Sequence, residues 1–314
     1  MSSTDNKDYI DKFSADICAN CGKGEENNNS LKACTACHMV KYCNRECQIA
    51  HRPQHKKECK KRATELHDEK LFKQPPPADD CAICFLRLPH LNTGQTYKVC
   101  CGKVICSGCR YAPVYDNQGN KVDNEKQNQC PFCRVVAPKS EEELIERREK
   151  RIEAGDPIAI YNRGCRYRDG TDGFPQNHTK ALELWHRAAE LGDSKAYCSI
   201  GVSYDNGEGV EIDKKKAVHY YELSAFMGNA TARCNLGLIE KKAGNMNRAL
   251  RHWVIAARSG DPKSLKCIKT LYTNGHASKE DYTTALQVYQ AYLSEIKSRQ
   301  RDNAAAFSEH YRYY

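Results

Sequence analysis

The sequence predicts two small cysteine-rich α+β modules followed by an all-α solenoid of helical hairpins, and two of its features carry this prediction. Fifteen of the 19 cysteines lie in the segment 18–133, and ten of them form five Cys-x-x-Cys pairs. Beyond that segment cysteine becomes sparse, and a glycine followed by Asp or Asn recurs at intervals of 37, 36 and 32 residues. These glycines are Gly155, Gly192, Gly228 and Gly260. Such a period is typical of stacked helical hairpins.

The composition excludes several classes of protein. The 314 residues contain no apolar run near the roughly 20 residues that a membrane span requires. The polar start, residues 1–14, lacks the apolar segment of a secretory signal, so we expect a cytoplasmic or nuclear protein. In those reducing compartments clustered thiols bind metal more often than they form disulfides. Because a Cys-x-x-Cys turn brings two thiolates to one tetrahedral Zn²⁺ at about 2.3 Å, the five pairs predict bound zinc.

Shifts in composition divide the chain into seven segments. The segment rich in proline contains Pro75, Pro76 and Pro77, which favour a stiff extended spacer. Ser140-Glu-Glu-Glu143 has the form of a capping box and indicates a connecting helix. In order, we expect a disordered N-terminus, a first zinc module, a linker, a second zinc module, the connecting helix, the repeats and a polar, frayed tail. Their ranges are 1–14, 15–62, 63–80, 81–137, 138–154, 155–297 and 298–314.

The first module contains eight candidate zinc ligands, enough for two closed four-ligand sites, which are structural rather than catalytic. The stretch Tyr42-Cys-Asn-Arg-Glu-Cys-Gln48, followed by His51 and His55-Lys-Lys-Glu-Cys59, resembles the MYND-type zinc finger. His51 and His55 compete for one ligand position; His55 lies four residues before Cys59, on the same helix face, so we expect His51 to pack or face solvent. The resemblance implies that the finger binds short proline-containing peptides and that its zinc does no chemistry. It also implies an interleaved pairing, with Cys18, Cys21, Cys43 and Cys47 on one zinc and Cys34, Cys37, His55 and Cys59 on the other.

The second module contains Cys81-Ala-Ile-Cys84, Cys100-Cys101, Cys106, Cys109 and Cys130-Pro-Phe-Cys133. This order resembles a RING finger. The resemblance implies two cross-braced sites, with Cys81, Cys84, Cys106 and Cys109 on one zinc and Cys100, Cys101, Cys130 and Cys133 on the other. Lys103 stands where that family has a histidine and cannot bind zinc, which leaves an all-cysteine variant or, in reserve, His90 as the remaining ligand.

The RING resemblance further implies a ubiquitin ligase that holds a charged ubiquitin-conjugating enzyme and has no catalytic residues of its own. Ile83 matches the apolar residue with which the family docks that enzyme. Arg134, directly after the last cysteine, matches the cation that hydrogen-bonds both partners.

The region 155–297 carries a second pattern besides its glycines. In the second half of each unit the residues read Ala-x-x-x-aromatic-x-x-small-small, as at Ala181, Trp185 and Ala188, a spacing that places them on one helix face. The pattern resembles the Sel-type branch of the tetratricopeptide-like repeats, and Asp205-Asn-Gly-Glu-Gly-Val210 is the fullest copy of that family's turn. The resemblance implies a concave surface for protein or peptide partners.

Three functions fit these features. The first is a RING-type ubiquitin ligase that recruits substrate through its repeats and its MYND finger. The second is a non-enzymatic, zinc-dependent scaffold for protein complexes. The third, nucleic-acid binding, rests on the net charge of +9, from 49 basic and 40 acidic residues. It is the weakest, because four Zn²⁺ bound by fifteen thiolates and one neutral histidine would lower that charge to about +2.

Overall fold

The computed structural model describes residues 16–24, 30–76, 79–90, 92–115, 120–121 and 125–314. They belong to two compact units, Met1–Lys73 and Gln74–Tyr314. The N-terminal segment that the sequence predicts to be disordered, residues 1–14, lies outside the described residues. Within the described ranges, no helix is both long enough and apolar enough to cross a membrane.

The first unit is a small two-stranded sheet followed by one long helix. Strands β1 (Lys32–Ala33) and β2 (Lys41–Tyr42) pair antiparallel, and helix α1 spans Arg45–Leu71. The side chain of Asn44 caps α1 by accepting a hydrogen bond from the Cys47 amide at 2.8 Å. The buried core of this unit is small, and half of its side chains are cysteines. It consists of Cys18, Leu31, Cys34, Cys37, Val40 and Tyr42. A core this small cannot stabilise the unit without further support.

Helix α1 is longer than the sequence predicts. We expected a linker from residue 63, whereas the helix continues to Leu71, whose side chain is buried. Residues 63–71 contain neither glycine nor proline, and Arg62 forms ion pairs with Glu65 and Glu69 one and two turns further along. Nothing in this stretch stops a helix once the zinc module has started it.

The second unit begins with a hairpin and two helices. Strands β3 (Gln95–Lys98) and β4 (Lys103–Cys106) pair antiparallel and lead into the short helix α2 (Ser107–Tyr111). Helix α3 (Glu141–Glu153) lies in the segment predicted to be the connecting helix. Its cap is Ser140, which accepts from the Glu143 amide at 3.3 Å, while the Glu143 carboxylate accepts from the Lys139 amide at 2.8 Å.

Eight further helices form four consecutive helical hairpins. They are α4 (Pro157–Asp169), α5 (His178–Glu190), α6 (Ser194–Asn206), α7 (Lys214–Phe226), α8 (Ala230–Lys242), α9 (Met246–Arg258), α10 (Pro262–Thr273) and α11 (Lys279–Ile296). The first of the recurring Gly-Asp and Gly-Asn pairs joins α3 to the first hairpin, and the other three join successive hairpins. In the second pair, Gly192 has φ +94°, and Asp193 then caps α6 by accepting from the Ala196 amide at 2.8 Å.

Each of the first three hairpins places a glycine of its first helix against an aromatic ring of its second. A Cβ added to Gly164, Gly201 or Gly237 would lie 2.5, 2.7 or 2.4 Å from Trp185, Tyr221 or Trp253. Only glycine therefore permits these helices to approach so closely. The small and aromatic residues that recur in each repeat are therefore those that pack against each other within one hairpin.

The two tryptophans differ in one hydrogen bond. Trp253 Nε1 donates to the Cys234 carbonyl at 3.1 Å, whereas Trp185 Nε1 has no hydrogen-bond partner among the residues the structure describes. We therefore expect Trp253→Phe to lower the free energy of unfolding by about 1 kcal/mol more than Trp185→Phe does. Urea unfolding of both variants measures the difference, and equal losses would contradict this account.

The C-terminal tail is ordered, contrary to the frayed tail expected from its polar sequence. Residues Arg299–Phe307 form helix α12, and Glu309–Tyr311 form a 3₁₀ turn. The ring of Phe307 packs on Tyr111 and Tyr115 of the second module, with centroids 5.5 and 4.2 Å away. The tail folds because it buries apolar surface against a module about 190 residues earlier in the chain.

The second module also contacts both ends of the repeat array. Tyr97 on β3 donates to Asp156 Oδ2, at the start of α4, at 2.8 Å. At the far end, the His90 amide donates to the Tyr292 hydroxyl at 2.7 Å, and the His90 ring lies 3.7 Å from Asp261. The module is therefore held against the array by polar contacts at two separate hairpins.

Candidate metal centres

The sixteen predicted ligands lie in four groups of four. Within each group all ligand atoms are within 4.8 Å of one another. We name them site A (Cys18, Cys21, Cys43, Cys47), site B (Cys34, Cys37, His55, Cys59), site C (Cys81, Cys84, Cys106, Cys109) and site D (Cys100, Cys101, Cys130, Cys133). These are the same four sets of residues that the two resemblances imply.

Four Cys-x-x-Cys turns with nearly identical backbones build these sites. They start at Cys18, Cys34, Cys81 and Cys130, and in each the amide four residues later donates to the carbonyl of the first cysteine at 2.9 Å. The residue after the second cysteine has positive φ, at Gly22, His38, Phe85 and Arg134. The turn thus points both sulfur atoms of a pair to the same side.

The remaining ligands come from the elements next to these turns. In the first unit, Cys43 follows β2, and Cys47, His55 and Cys59 project from α1. In the second unit, Cys106 ends β4 and Cys109 lies in α2. Cys100 and Cys101 occupy the turn between β3 and β4, so two of the four candidate ligands of site D are adjacent in the sequence.

The spacing of the donor atoms fits zinc. A tetrahedral Zn²⁺ with Zn–S bonds of about 2.3 Å places its sulfur ligands about 3.8 Å apart. Six sulfur–sulfur pairs in the four groups are 3.4 to 4.0 Å apart, and all ligand atoms of a group lie within 4.8 Å of one another. All the cysteines concerned are free thiols, because a disulfide would bring two sulfurs to about 2.05 Å. In site B the nitrogen donor is His55 Nε2, 3.2 Å from Cys37 Sγ.

The thiols within each group are so close together that a bound cation would favour their ionised form. Burial opposes the thiolate of Cys130, but hydrogen bonds from the Cys133 and Phe132 amides lower its pKa to about 7. In site A the hydrogen bond to Cys47 raises the pKa of Cys43 to about 12. Burial lowers the pKa of His55, which favours the neutral imidazole that a metal needs. Crowded thiols cannot all ionise beside one another without a positive ion between them.

The other residues singled out from the sequence lie outside the four groups. His51 Nδ1 is 3.1 Å from the Tyr42 hydroxyl, and its ring stacks on His55. His90 lies beside Asp261 and Tyr292 of the repeat array, and Lys103 is an exposed residue at the start of β4.

Ile83 is half-buried against the core around Cys81, and Arg134 is exposed.

Sequence reasoning missed one residue at these sites, Arg301. It lies on α12, is fully buried, and its Nη2 is 3.9 Å from Cys84 Sγ of site C. Burial opposes its charge, but the sulfur atoms of Cys106 and Cys84 hold its pKa above the ordinary value. In the sequence, Ser298 followed by helix-forming residues is typical of a helix start and could have predicted α12. It could not have predicted that α12 packs against the second module.

Comparison with known families identifies the first module and the repeats. Residues 18–59 match the model of the MYND finger, and residues 157–193, 194–229 and 232–261 match that of the Sel1 repeat. The last hairpin, formed by α10 and α11, follows the third matched repeat.

Two curated relatives from Arabidopsis thaliana share part of the sequence. An F-box protein is 30% identical over 100 residues, which are 31% of this chain and 27% of the relative. HRD3B, an ERAD-associated E3 ubiquitin-protein ligase component, is 30% identical over 115 residues, 36% of this chain and 18% of the relative. The matched region thus spans about a quarter or less of each relative.

Solved structures also resemble the chain. A Sel1 repeat protein from Oxalobacter formigenes is 31% identical and has a TM-score of 0.44, over 50% of this chain and 66% of that protein. The antigen c5321 from uropathogenic Escherichia coli is 21% identical, with a TM-score of 0.42, over 56% and 43% of the two chains. From the family matches, the chain contains a MYND finger at residues 18–59 followed by three Sel1 repeats within residues 157–261.

Proposed function

We propose that this chain is a zinc-dependent ubiquitin ligase of the RING type that recruits its substrate through the Sel1 repeats and the MYND finger. We further propose that sites A to D each hold one Zn²⁺ and that residues 81–137 form the RING-like module. The observation that carries the proposal is the interleaving of sites C and D. Ligands one, two, five and six along the chain gather in site C, and ligands three, four, seven and eight in site D.

Zinc would supply structure rather than chemistry at these sites. Each group offers four donors, so a bound tetrahedral ion would have no open position for a substrate or water. The ligase function would depend on side chains that bind a ubiquitin-conjugating enzyme loaded with ubiquitin. The module's turns would fix the positions of those side chains.

Ile83 and Arg134 are the two proposed contacts with the conjugating enzyme. Ile83 lies between the first two ligands of site C and is held by packing against that core. Arg134 follows the last ligand of site D, where φ of +61° and a bond from its amide to the Cys130 carbonyl at 2.9 Å fix its backbone. Its guanidinium is exposed and forms no ion pair with the described residues, so its hydrogen-bond donors are available to a partner.

The repeats and the MYND finger are the proposed substrate-binding modules. Both are protein-interaction modules, and stacked helical hairpins present extended surfaces on which partners bind. The names of the two Arabidopsis relatives place one among F-box proteins and one among E3 ligase components. The name of HRD3B, an E3 ubiquitin-protein ligase component, supports the proposal of a role in ubiquitin transfer.

The test is ubiquitin-chain assembly by the purified full chain with activating enzyme and a broad panel of conjugating enzymes. We expect chains with the unaltered protein, and a loss of at least about tenfold in rate for Ile83→Ala or Arg134→Ala, since each removes a contact worth more than about 1.4 kcal/mol. Arg134→Lys keeps the charge but not the planar fork and should be intermediate. Lys139→Ala, an exposed cation just beyond the module, is the matched control and should keep full activity.

The alternative is a non-enzymatic scaffold, and one observation favours it. The second module is attached to the repeats at both Asp156 and Asp261, as a purely structural module would be. Absence of chain assembly with every conjugating enzyme, from protein that retains its zinc and its fold, would contradict the ligase and leave the scaffold.

A further inference from the structure

Arg301 is a fully buried cation next to site C. Its side chain is 0% exposed. Nη1 donates to the Ile296 carbonyl at 2.6 Å and to the Arg87 carbonyl at 2.9 Å, and Nη2 donates to the Leu86 carbonyl at 3.3 Å. Leu86 and Arg87 directly follow the Cys81–Cys84 turn, so one guanidinium holds the backbone that leaves the first two ligands of site C.

Among the residues that the structure describes, no carboxylate pairs with the charge of Arg301. Its guanidinium hydrogen bonds to the described residues go to three backbone carbonyls and to the sulfur atoms of Cys84 and Cys106 in site C, with Cys84 Sγ 3.9 Å from Nη2. Burying an unpaired charge costs several kcal/mol. Four thiolates around a Zn²⁺ carry a net charge of −2, and site C is the negative group that Arg301 faces.

We propose that the Arg301 guanidinium, through its contacts with the thiolates of site C, neutralises part of their charge and slows the release of zinc from that site alone. The inference rests on the zinc occupancy proposed above, but not on ligase activity. Arg301 acts through Cys84 and the adjoining backbone, so it is a positioning residue. The C-terminal helix is thereby part of the zinc module and not an appendage of the repeats.

The position of α12 is set independently of the guanidinium. A Cβ added to Gly108 of α2 would lie 2.9 Å from the Arg301 amide nitrogen and 3.0 Å from the Gln300 carbonyl carbon. Gly108 is helical, so alanine is compatible with its backbone. Gly108→Ala should therefore push the two helices apart while leaving every ligand and the arginine in the sequence.

The experiment is zinc release from the full chain to an excess of a chromogenic chelator, followed in time. For Arg301→Gln we expect one of the four zinc ions to leave about tenfold faster, the size of effect that loss of a partner to a metal ligand produces. Arg301→Lys, which keeps the charge but not the fork, should be intermediate, and Gly108→Ala should accelerate the same ion. Arg299→Gln, an exposed arginine two residues earlier on α12, is the matched control and should match the unaltered protein.

Cadmium-113 NMR of the cadmium-loaded chain identifies the site. Arg301→Gln should shift one tetrathiolate resonance and leave the signal of the Cys₃His site in place. Equal release rates for Arg301→Gln and Arg299→Gln would overturn the proposal, and so would faster release of all four ions alike. If the unaltered chain binds only two zinc ions, the zinc assignment of the second module fails instead, which separates the two proposals.

Discussion

Cys37→Ser is expected to unfold the first zinc finger while the second unit stays folded. Apart from cysteines, the buried core of this finger consists of Leu31, Val40 and Tyr42. Burial of each of these three side chains contributes about 1.5–3 kcal/mol. Their sum is far less than the conformational entropy cost of ordering the whole finger, which is about 1–2 kcal/mol for every residue. Structural zinc supplies about 10–16 kcal/mol in small domains, so loss of a ligand removes the dominant stabilising term.

Two-dimensional ¹H–¹⁵N NMR together with metal analysis measures this outcome. We expect the dispersed signals of residues 16–24 and 30–59 to collapse and the zinc content to fall, because sites A and B share one core. Cys165→Ser, at a cysteine of α4 that belongs to none of the four groups, should leave both readouts unchanged. Retention of a dispersed spectrum and of full zinc content by Cys37→Ser would show that the finger does not depend on site B.

Trp253→Ala is expected to destabilise the repeat array by about 3–5 kcal/mol, the range for removing a large aromatic side chain from a packed core. Trp253 is 0% exposed and contacts the glycine of its hairpin partner helix, Gly237. In a solenoid each hairpin is stabilised mainly by its neighbours, so the loss should also weaken the hairpins on either side.

Urea denaturation followed by circular dichroism tests this prediction. Leu238→Ala, in the same hairpin but partly exposed, is the control and should change the free energy of unfolding by no more than about 0.5 kcal/mol. A loss below about 1 kcal/mol for Trp253→Ala would mean that the cavity closes and that the ring is not a central packing element.

The sequence predicts the fold well where residues close together in the chain determine it. The Cys-x-x-Cys spacing corresponds to one local turn, which recurs with the same hydrogen bond at Cys18, Cys34, Cys81 and Cys130. The Gly-Asp pairs are likewise local, because the glycine ends one helix and the aspartate caps the next. Such features need no knowledge of the tertiary structure.

Contacts between distant residues could not be predicted in this way. Arg301 reaches Cys84 across more than 200 residues, and Tyr97 reaches Asp156 across 59. The sequence of the polar tail 298–314 does not indicate which part of the chain it packs against. Arginine is usually exposed, so a buried arginine such as Arg301 is predicted from sequence to lie on the surface. The extension of α1 into the expected linker has a different cause, because helix continuation depends on the absence of a stop signal rather than on a pattern.

The number of zinc ions per chain tests the central claim most directly, that metal sites fold both N-terminal modules. Native mass spectrometry of the purified full chain, with elemental analysis of the same sample, counts them. The four groups predict four Zn²⁺ per chain. Two Zn²⁺ per chain, with the second module folded, would contradict the account of sites C and D and the ubiquitin-ligase proposal that depends on them.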